Sequence, residues 1–287
     1  GRRERTIAPG NVHTVNTYDA AGRLTMVEVG DGVNQPLERT TYVYDALGQR
    51  TATRVYTSIS GSGGTYRQTS SQYDVRGRVT RTTAADSGFT QSFYDGAGHL
   101  TVSVDPIGRA TQYTYDPQGR MISVTQGCIL NGSGPTANCN QPDASSTSYQ
   151  YDEAGRRIRV TQPTNAQGYA LQTLYVYDDA GRLTSVEAAD GTAYASITAY
   201  EYDLAGQQTF VIDPLGNRTE YRYDLQGRLL RTIYPLAATT HYSGTPYATS
   251  TWQSYDPAGR LSYSVDQALQ AVHYLYDDAG RMTSVIE

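Results

Sequence analysis

Carboxylates are the first side chains in this sequence to consider for catalysis, since 20 of the 287 residues are Asp. Two carboxylates act as a general acid and a general base when their environments push their pKa values apart. Eleven of these Asp, however, recur in one short motif, Tyr-Asp followed three residues later by Gly. Repeated copies give each carboxylate the same environment, and an Asp that opens a turn accepts local backbone hydrogen bonds. We therefore expect no catalytic Asp.

The four histidines offer no catalytic or metal-binding pattern either. They are His13, His99, His241 and His273. Their spacing matches neither a His-Glu-x-x-His zinc helix nor a paired nucleophile and base. Calcium at the Asp-rich turns is an alternative, but the glycine-rich nonapeptide that binds calcium in β-helices is absent. We expect no metal, no cofactor and no enzyme activity.

The two cysteines, Cys128 and Cys139, lie in the longest insertion of the sequence. Both fall within one loop rich in Gly, Asn and Pro, so a local disulfide is expected, with two free thiols as the alternative. Closing so short a loop stabilises the fold by about 3 kcal/mol. A disulfide also indicates an oxidising, extracellular location.

Composition indicates the elements that position these groups. The chain has 26 Tyr, only 3 Phe, and no Lys among its 23 basic residues. Thr and Tyr favour pleated surfaces, and good surface helix formers are scarce, so we expect an all-β fold. The net charge of −5 gives no reason to expect a nucleic acid as partner. No apolar stretch is long enough to predict a membrane span.

The Tyr-Asp-x-x-Gly motif occurs eleven times. Its tyrosines are Tyr18, Tyr44, Tyr73, Tyr94, Tyr115, Tyr151, Tyr177, Tyr202, Tyr223, Tyr255 and Tyr276. Its aspartates are Asp19, Asp45, Asp74, Asp95, Asp116, Asp152, Asp178, Asp203, Asp224, Asp256 and Asp277. Its glycines are Gly22, Gly48, Gly77, Gly98, Gly119, Gly155, Gly181, Gly206, Gly227, Gly259 and Gly280. Arg follows eight of the glycines, and the exceptions are Gln49, His99 and Gln207.

Each motif copy predicts one β-hairpin. Upstream, Thr-x-Tyr-x-Tyr has period two, which places the Thr and the Tyr rings on one face of a strand. Asp-x-x-Gly has the chemistry of a type I turn. A return strand follows, as in residues 181–186, and a second turn closes the other end, as in residues 105–108 and 213–216. We expect the Tyr rings of neighbouring hairpins to stack in ladders, with a sugar-binding surface as the alternative.

The repeats extend over the whole chain. The shortest spacing is 21 residues, and the longer repeats add residues only around the second turn, at roughly 56 to 66, 126 to 145 and 234 to 248. We expect one continuous array over residues 1–287, with about 12 repeats of which both terminal ones are incomplete. The open strand edges at both ends are expected to pair with further repeats or with identical subunits.

These motifs resemble the YD-repeat or Rhs-repeat family, which includes bacterial Rhs proteins, the C components of Tc toxins and the teneurins. The resemblance implies a β-sheet strip wound into a hollow shell. In the toxin members the shell encloses a toxic polypeptide, and in teneurins it supports adhesion. The expected number of strands also predicts a coiled sheet, because about 24 strands exceed the ~10 that an open twisted sheet usually sustains before it curls.

We therefore expect tandem antiparallel β-hairpins coiled into a hollow β-sheet shell or tube. The expected function is structural: the wall of an extracellular tube, filament or shell. One alternative is a fragment of an Rhs/Tc-type shell that encapsulates a toxin polypeptide. Another is a cell-surface adhesin that binds glycans. The corresponding partners are further repeats, identical subunits, an enclosed polypeptide, or surface glycans.

Overall fold

The computed structural model describes residues 2–9, 12–30, 36–165, 168–189, 195–235 and 250–287. Its secondary structure is 24 β-strands, so the all-β prediction is confirmed. The described part of the chain holds no helix that could cross a membrane. The chain divides into two compact units, Gly1–Ser146 and Thr147–Glu287. The single continuous array stays a prediction.

Unit 1 is a succession of antiparallel hairpins. Its strands are β1 (Arg3–Ala8), β2 (Val12–Tyr18), β3 (Leu24–Gly30), β4 (Glu38–Tyr44), β5 (Arg50–Ser60), β6 (Gly63–Tyr73), β7 (Val79–Thr83), β8 (Phe89–Tyr94), β9 (Leu100–Val104), β10 (Arg109–Tyr115), β11 (Met121–Leu130) and β12 (Ala137–Asn138). Each strand pairs antiparallel with the next one in the chain. The prediction of tandem hairpins is confirmed in this unit.

Unit 2 repeats the same arrangement. Its strands are β13 (Ser145–Tyr151), which begins two residues before the unit boundary, β14 (Arg157–Thr164), β15 (Ala170–Tyr177), β16 (Leu183–Ala189), β17 (Ser196–Tyr202), β18 (Gln208–Ile212), β19 (Arg218–Tyr223), β20 (Leu229–Ile233), β21 (Ser250–Tyr255), β22 (Leu261–Val265), β23 (Ala271–Tyr276) and β24 (Met282–Ile286). Consecutive strands again pair antiparallel.

A β-bulge accompanies every Tyr-Asp motif. In all eleven hairpins the register shifts between the motif Tyr and the residue before it, as between Val176 and Tyr177. The extra residue lies on the return strand. In the hairpin of β15 and β16 it is Thr184, whose Oγ1 donates to the Val176 carbonyl oxygen across the pair at 3.2 Å. The bulge bends each hairpin at the Tyr-Asp end and raises its local twist.

Very few side chains are buried, because each unit is a sheet without a second layer packed upon it. In unit 1 a small apolar cluster contains Val102, Val104, Ala110 and Cys128. Among the described residues of unit 2, Val160 is the one hydrophobic residue that is buried. Large apolar side chains such as Leu204 and Leu225 are fully exposed. The hairpins therefore depend on contacts along the sheet more than on a core.

The predicted insertions have different outcomes. Residues 56–66 extend a hairpin, since β5 and β6 each contain 11 residues and the rings of Tyr56 and Tyr66 lie 5.3 Å apart. Residues 126–145 prolong β11 and add β12, which pairs with it. The third insertion falls mostly on residues 236–249, which lie outside the described residues, as does His241.

Candidate functional site

The Tyr-Asp-x-x-Gly turn is built in the same way in all eleven repeats. Each Gly amide donates to the Asp carbonyl oxygen at 2.9–3.2 Å. In the copy that begins at Asp178, Oδ1 also accepts the Arg182 amide at 2.8 Å. Gly181 has φ +81°, a conformation that a Cβ disfavours. The prediction of Asp-x-x-Gly turns is confirmed, and so are the second turns at residues 105–108 and 213–216.

The residue after the turn Gly closes an ion pair on the turn Asp. Arg182 Nε donates to Asp178 Oδ2 at 2.7 Å. Nine repeats have this contact at 2.6–2.9 Å, eight through Arg and one through His99 Nδ1 on Asp95. The frequent Arg after the turn Gly is visible in the sequence, but its ion pair with the turn Asp was not predicted. The constant four-residue distance from Asp to Arg was the signal that pointed to this contact.

Hydrogen bonding keeps the turn carboxylates ionised. The pKa of Asp178 lies below its ordinary value, first because the Arg182 amide donates to it and further because the Arg182 side chain does, against an opposing effect of burial. The pKa of Asp95 falls to about 2, chiefly through its hydrogen bond with the His99 side chain. Carboxylates held in this way are strong acceptors for structural bonds and poor proton donors near neutral pH.

The same Arg reaches the next hairpin. Arg182 Nη1 donates to the Asp203 carbonyl oxygen at 3.0 Å, and its Cζ lies 4.9 Å from the centre of the Tyr202 ring. Six such ring contacts between consecutive repeats measure 4.3–4.9 Å. They are Arg23 on Tyr44, Arg78 on Tyr94, Arg156 on Tyr177, Arg182 on Tyr202, Arg228 on Tyr255 and Arg260 on Tyr276. A guanidinium over an aromatic face stabilises by about 0.5–1 kcal/mol at exposed sites.

The Tyr of the second hairpin bonds back to the first. The Tyr202 hydroxyl donates to the Leu183 carbonyl oxygen at 2.7 Å. The same bond to the preceding repeat, at 2.7–3.1 Å, is made by Tyr44, Tyr73, Tyr94, Tyr115, Tyr177, Tyr202, Tyr223, Tyr255 and Tyr276. The predicted ladder of Tyr rings is therefore wrong in its partner. Six of these rings face the preceding Arg. The Tyr115 ring instead faces His99, whose ring lies 4.7 Å away.

We call this set of contacts the hairpin clamp. In one copy, Asp178, Arg182 and the Leu183 carbonyl group belong to one repeat. Tyr202 and the Asp203 carbonyl group belong to the next. The clamp joins an ion pair, a cation–π contact and two hydrogen bonds to backbone oxygens. Within each unit the clamp joins neighbouring hairpins at the Tyr-Asp edge of the sheet.

The other candidate residues that the structure describes make local contacts. Cys128 and Cys139 are joined in a disulfide with Cα atoms 4.2 Å apart. His13 contacts Arg5, and the His273 ring stacks on Tyr263 at 4.3 Å. The search of the described residues found no group of three or more His, Cys, Asp or Glu that could hold a metal ion.

Three stretches of the chain match a known family of repeats. A family model described as RHS Repeat matches residues 94–127, 177–209 and 202–239. None of the curated proteins matches the chain.

Solved structures with a detectable likeness include a crystal structure of TcdB2-TccC3, which is 16% identical with a TM-score of 0.47 over 96% of this chain and 17% of that chain. A Photorhabdus luminescens Tc holotoxin pore is 15% identical, with a TM-score of 0.27 over 95% of this chain and 19% of that one. A porin-like protein from Bacteroides uniformis is 10% identical, with a TM-score of 0.26 over 98% and 96%. The chain thus spans less than a fifth of the two toxin chains.

Proposed function

We propose that this chain, in which the RHS Repeat model matches residues 94–127, 177–209 and 202–239, is a non-catalytic structural segment in the wall of an extracellular Rhs/Tc-type β-sheet shell. The hairpin clamp is the observation that carries this proposal. It uses the turn Asp and the Arg after the turn, which recur along the chain, to join one hairpin to the next. A contact that is repeated from hairpin to hairpin builds a continuous sheet, which can serve as a wall.

The clamp supports a wall because it acts only between neighbours. Arg182 and Tyr202 are 20 residues apart in the sequence and belong to consecutive repeats. Stability in such an array is approximately a sum of repeat terms and neighbour terms, so repeats can be added without a central core. The small number of buried side chains in both units agrees with this kind of stability.

The use of the carboxylates argues against catalysis. In nine repeats the turn Asp is paired with Arg or His, and its pKa lies below its ordinary value. A general acid at neutral pH needs the opposite shift. Two carboxylates with different roles also need different environments, whereas the repeats give their Asp the same turn and the same partner.

The disulfide supports the extracellular part of the proposal. Cys128 is fully buried within the apolar cluster of unit 1, and its bond to Cys139 closes the insertion on which both residues lie. Disulfides persist in oxidising compartments and are rare in the cytosol.

Electron cryo-microscopy of the native assembly that contains this chain tests the proposal. We expect the hairpins to form a β-sheet wall with one face toward solvent and the other toward an enclosed space, a polypeptide or a second layer. A native particle in which both faces of this sheet are open to solvent would contradict it. So would an enzymatic turnover that is lost when one turn Asp is changed to Asn.

A further inference from the structure

One hairpin clamp in unit 2 lacks its guanidinium. Where most repeats have Arg after the turn Gly, the repeat of Tyr202 has Gln207. Asp203 Oδ1 accepts the Gln207 amide at 2.9 Å, as in the other turns. Asp203 Oδ2 has no hydrogen-bond or ion-pair partner among the described residues, whereas the equivalent Asp178 Oδ2 binds Arg182 Nε at 2.7 Å.

The rest of this clamp is in place. The Tyr223 hydroxyl donates to the Gln208 carbonyl oxygen at 2.9 Å, as Tyr202 does to Leu183. The Asp224 carbonyl oxygen corresponds to the Asp203 carbonyl that accepts Arg182 Nη1. The Gln207 Nε2 lies beside the following turn, 3.0 Å from where a Cβ on Gly227 would be, as Arg182 Nη1 lies 3.9 Å from that position on Gly206. Unlike Arg182, the Gln207 side chain makes no hydrogen bond to the turn carboxylate or to the next Asp carbonyl oxygen among the described residues.

An open cleft lies at this position. It has a volume of about 730 Å³, and its lining includes Asp203, Gln207, Tyr221 and Tyr223. No Arg covers the Tyr223 ring within the described parts of the chain. Burial raises the pKa of Tyr223, and the charges of Tyr221 and Asp203 raise it further, with no nearby cation among the described residues to oppose them. Burial also raises the pKa of Tyr202, but there the Arg182 cation opposes the increase.

We propose that Asp203 Oδ2, the Asp224 carbonyl oxygen and the Tyr223 ring form a receptor site for the guanidinium of an arginine side chain carried by another polypeptide. The bound group would displace the Gln207 amide and make the contacts that Arg182 makes within the chain one repeat earlier. Arg fits the site better than Lys because a planar guanidinium stacks on a ring while its N–H groups donate to two separate acceptors.

Saturation-transfer NMR with N-acetyl-arginine amide as the probe tests the site. The full-length protein should carry Gln49→Arg, which fills the other Gln-containing clamp, so that only the Gln207 clamp is open. We expect saturable binding that is roughly five- to thirtyfold tighter than that of N-acetyl-citrulline amide, a neutral molecule of nearly the same shape. Equal binding of the two probes, or no binding of the arginine probe, would overturn the proposal.

Two reciprocal substitutions locate the binding. Gln207→Arg supplies the guanidinium from within the chain, so it should abolish probe binding while leaving the protein folded or more stable. Arg182→Gln opens the equivalent site at Asp178 and Tyr202, so it should add a second binding event. Undiminished binding to the Gln207→Arg protein would show that the probe binds elsewhere and would also refute the site.

Discussion

The turn glycines give the most direct test of the hairpin geometry, and Gly119→Val is the sharpest substitution among them. Gly119 has φ +79°, and a Cβ at this position would lie 2.8 Å from His99 Nε2. The left-handed conformation alone costs an L-residue about 1–2 kcal/mol. The imidazole must also move, although it binds Asp95 and stacks on Tyr115. Loss of the ring stack adds about 0.5–1.5 kcal/mol.

The free energy of unfolding should therefore fall by about 1.5–3.5 kcal/mol in the Gly119→Val protein. Gly22→Val is the matched control, because Gly22 has the same φ of +79° and no atom within 4 Å of its Cβ position. It should lose only the conformational part, about 1–2 kcal/mol. Asp143→Ala, in the insertion, should change stability by less than about 0.5 kcal/mol.

Urea-induced unfolding followed by circular dichroism gives these three free energies. Hydrogen exchange at the amides of β10 and β11 shows whether the loss is local to the hairpin of Gly119. If Gly119→Val cost no more than Asp143→Ala, the turn assignment would be wrong. If it cost no more than Gly22→Val, the contact with His99 would contribute nothing to the turn.

Three further predictions concern the clamp, the acid response and the loop. Tyr202→Phe removes the donor to the Leu183 carbonyl and should lower the free energy of unfolding by about 0.5–1.5 kcal/mol in a urea titration, while an unchanged midpoint would count against the bond. Nine of the turn Asp have lowered pKa values, so the stabilisation from these nine is complete above the ordinary value of 3.8 and is lost as pH falls toward about 2, the pKa of Asp95. An acid titration by circular dichroism should accordingly show sheet loss below about pH 4, and loss beginning near pH 6 would argue for another titrating group. Alkylation followed by mass spectrometry should leave Cys128 and Cys139 unmodified until the protein is reduced, and two alkylated thiols in native protein would refute the disulfide.

Local chemistry explains why the turns could be predicted from the sequence. Asp at the first position and Gly at the fourth satisfy the turn within five residues, so the motif specifies the turn wherever it occurs. The strand periodicity similarly identified the hairpins. The disulfide could be expected because only two cysteines exist and both lie on one insertion.

The clamp could not be predicted in the same way, because it joins side chains that are far apart in the sequence. Arg182 and Tyr202 meet only after β16 and β17 have paired and the bulge before Tyr202 has set the direction of its ring. Period-two alternation says nothing about a bulge, since the bulge breaks that alternation by one residue. The predicted stacking of Tyr on Tyr therefore involved the correct ring but the wrong neighbour, because the ring of Tyr202 lies against Arg182.

A double-mutant cycle on the clamp tests most directly whether neighbouring hairpins are fastened in the way that a wall requires. The cycle uses Arg182→Ala, Tyr202→Leu and their combination, with free energies of unfolding from urea titrations. We predict a coupling of about 0.5–2 kcal/mol, since both residues belong to one contact. The matched cycle at Gln207 and Tyr223, where the guanidinium is absent, should give a coupling below about 0.5 kcal/mol. Additive losses at Arg182 and Tyr202, or equal coupling in both cycles, would contradict the account.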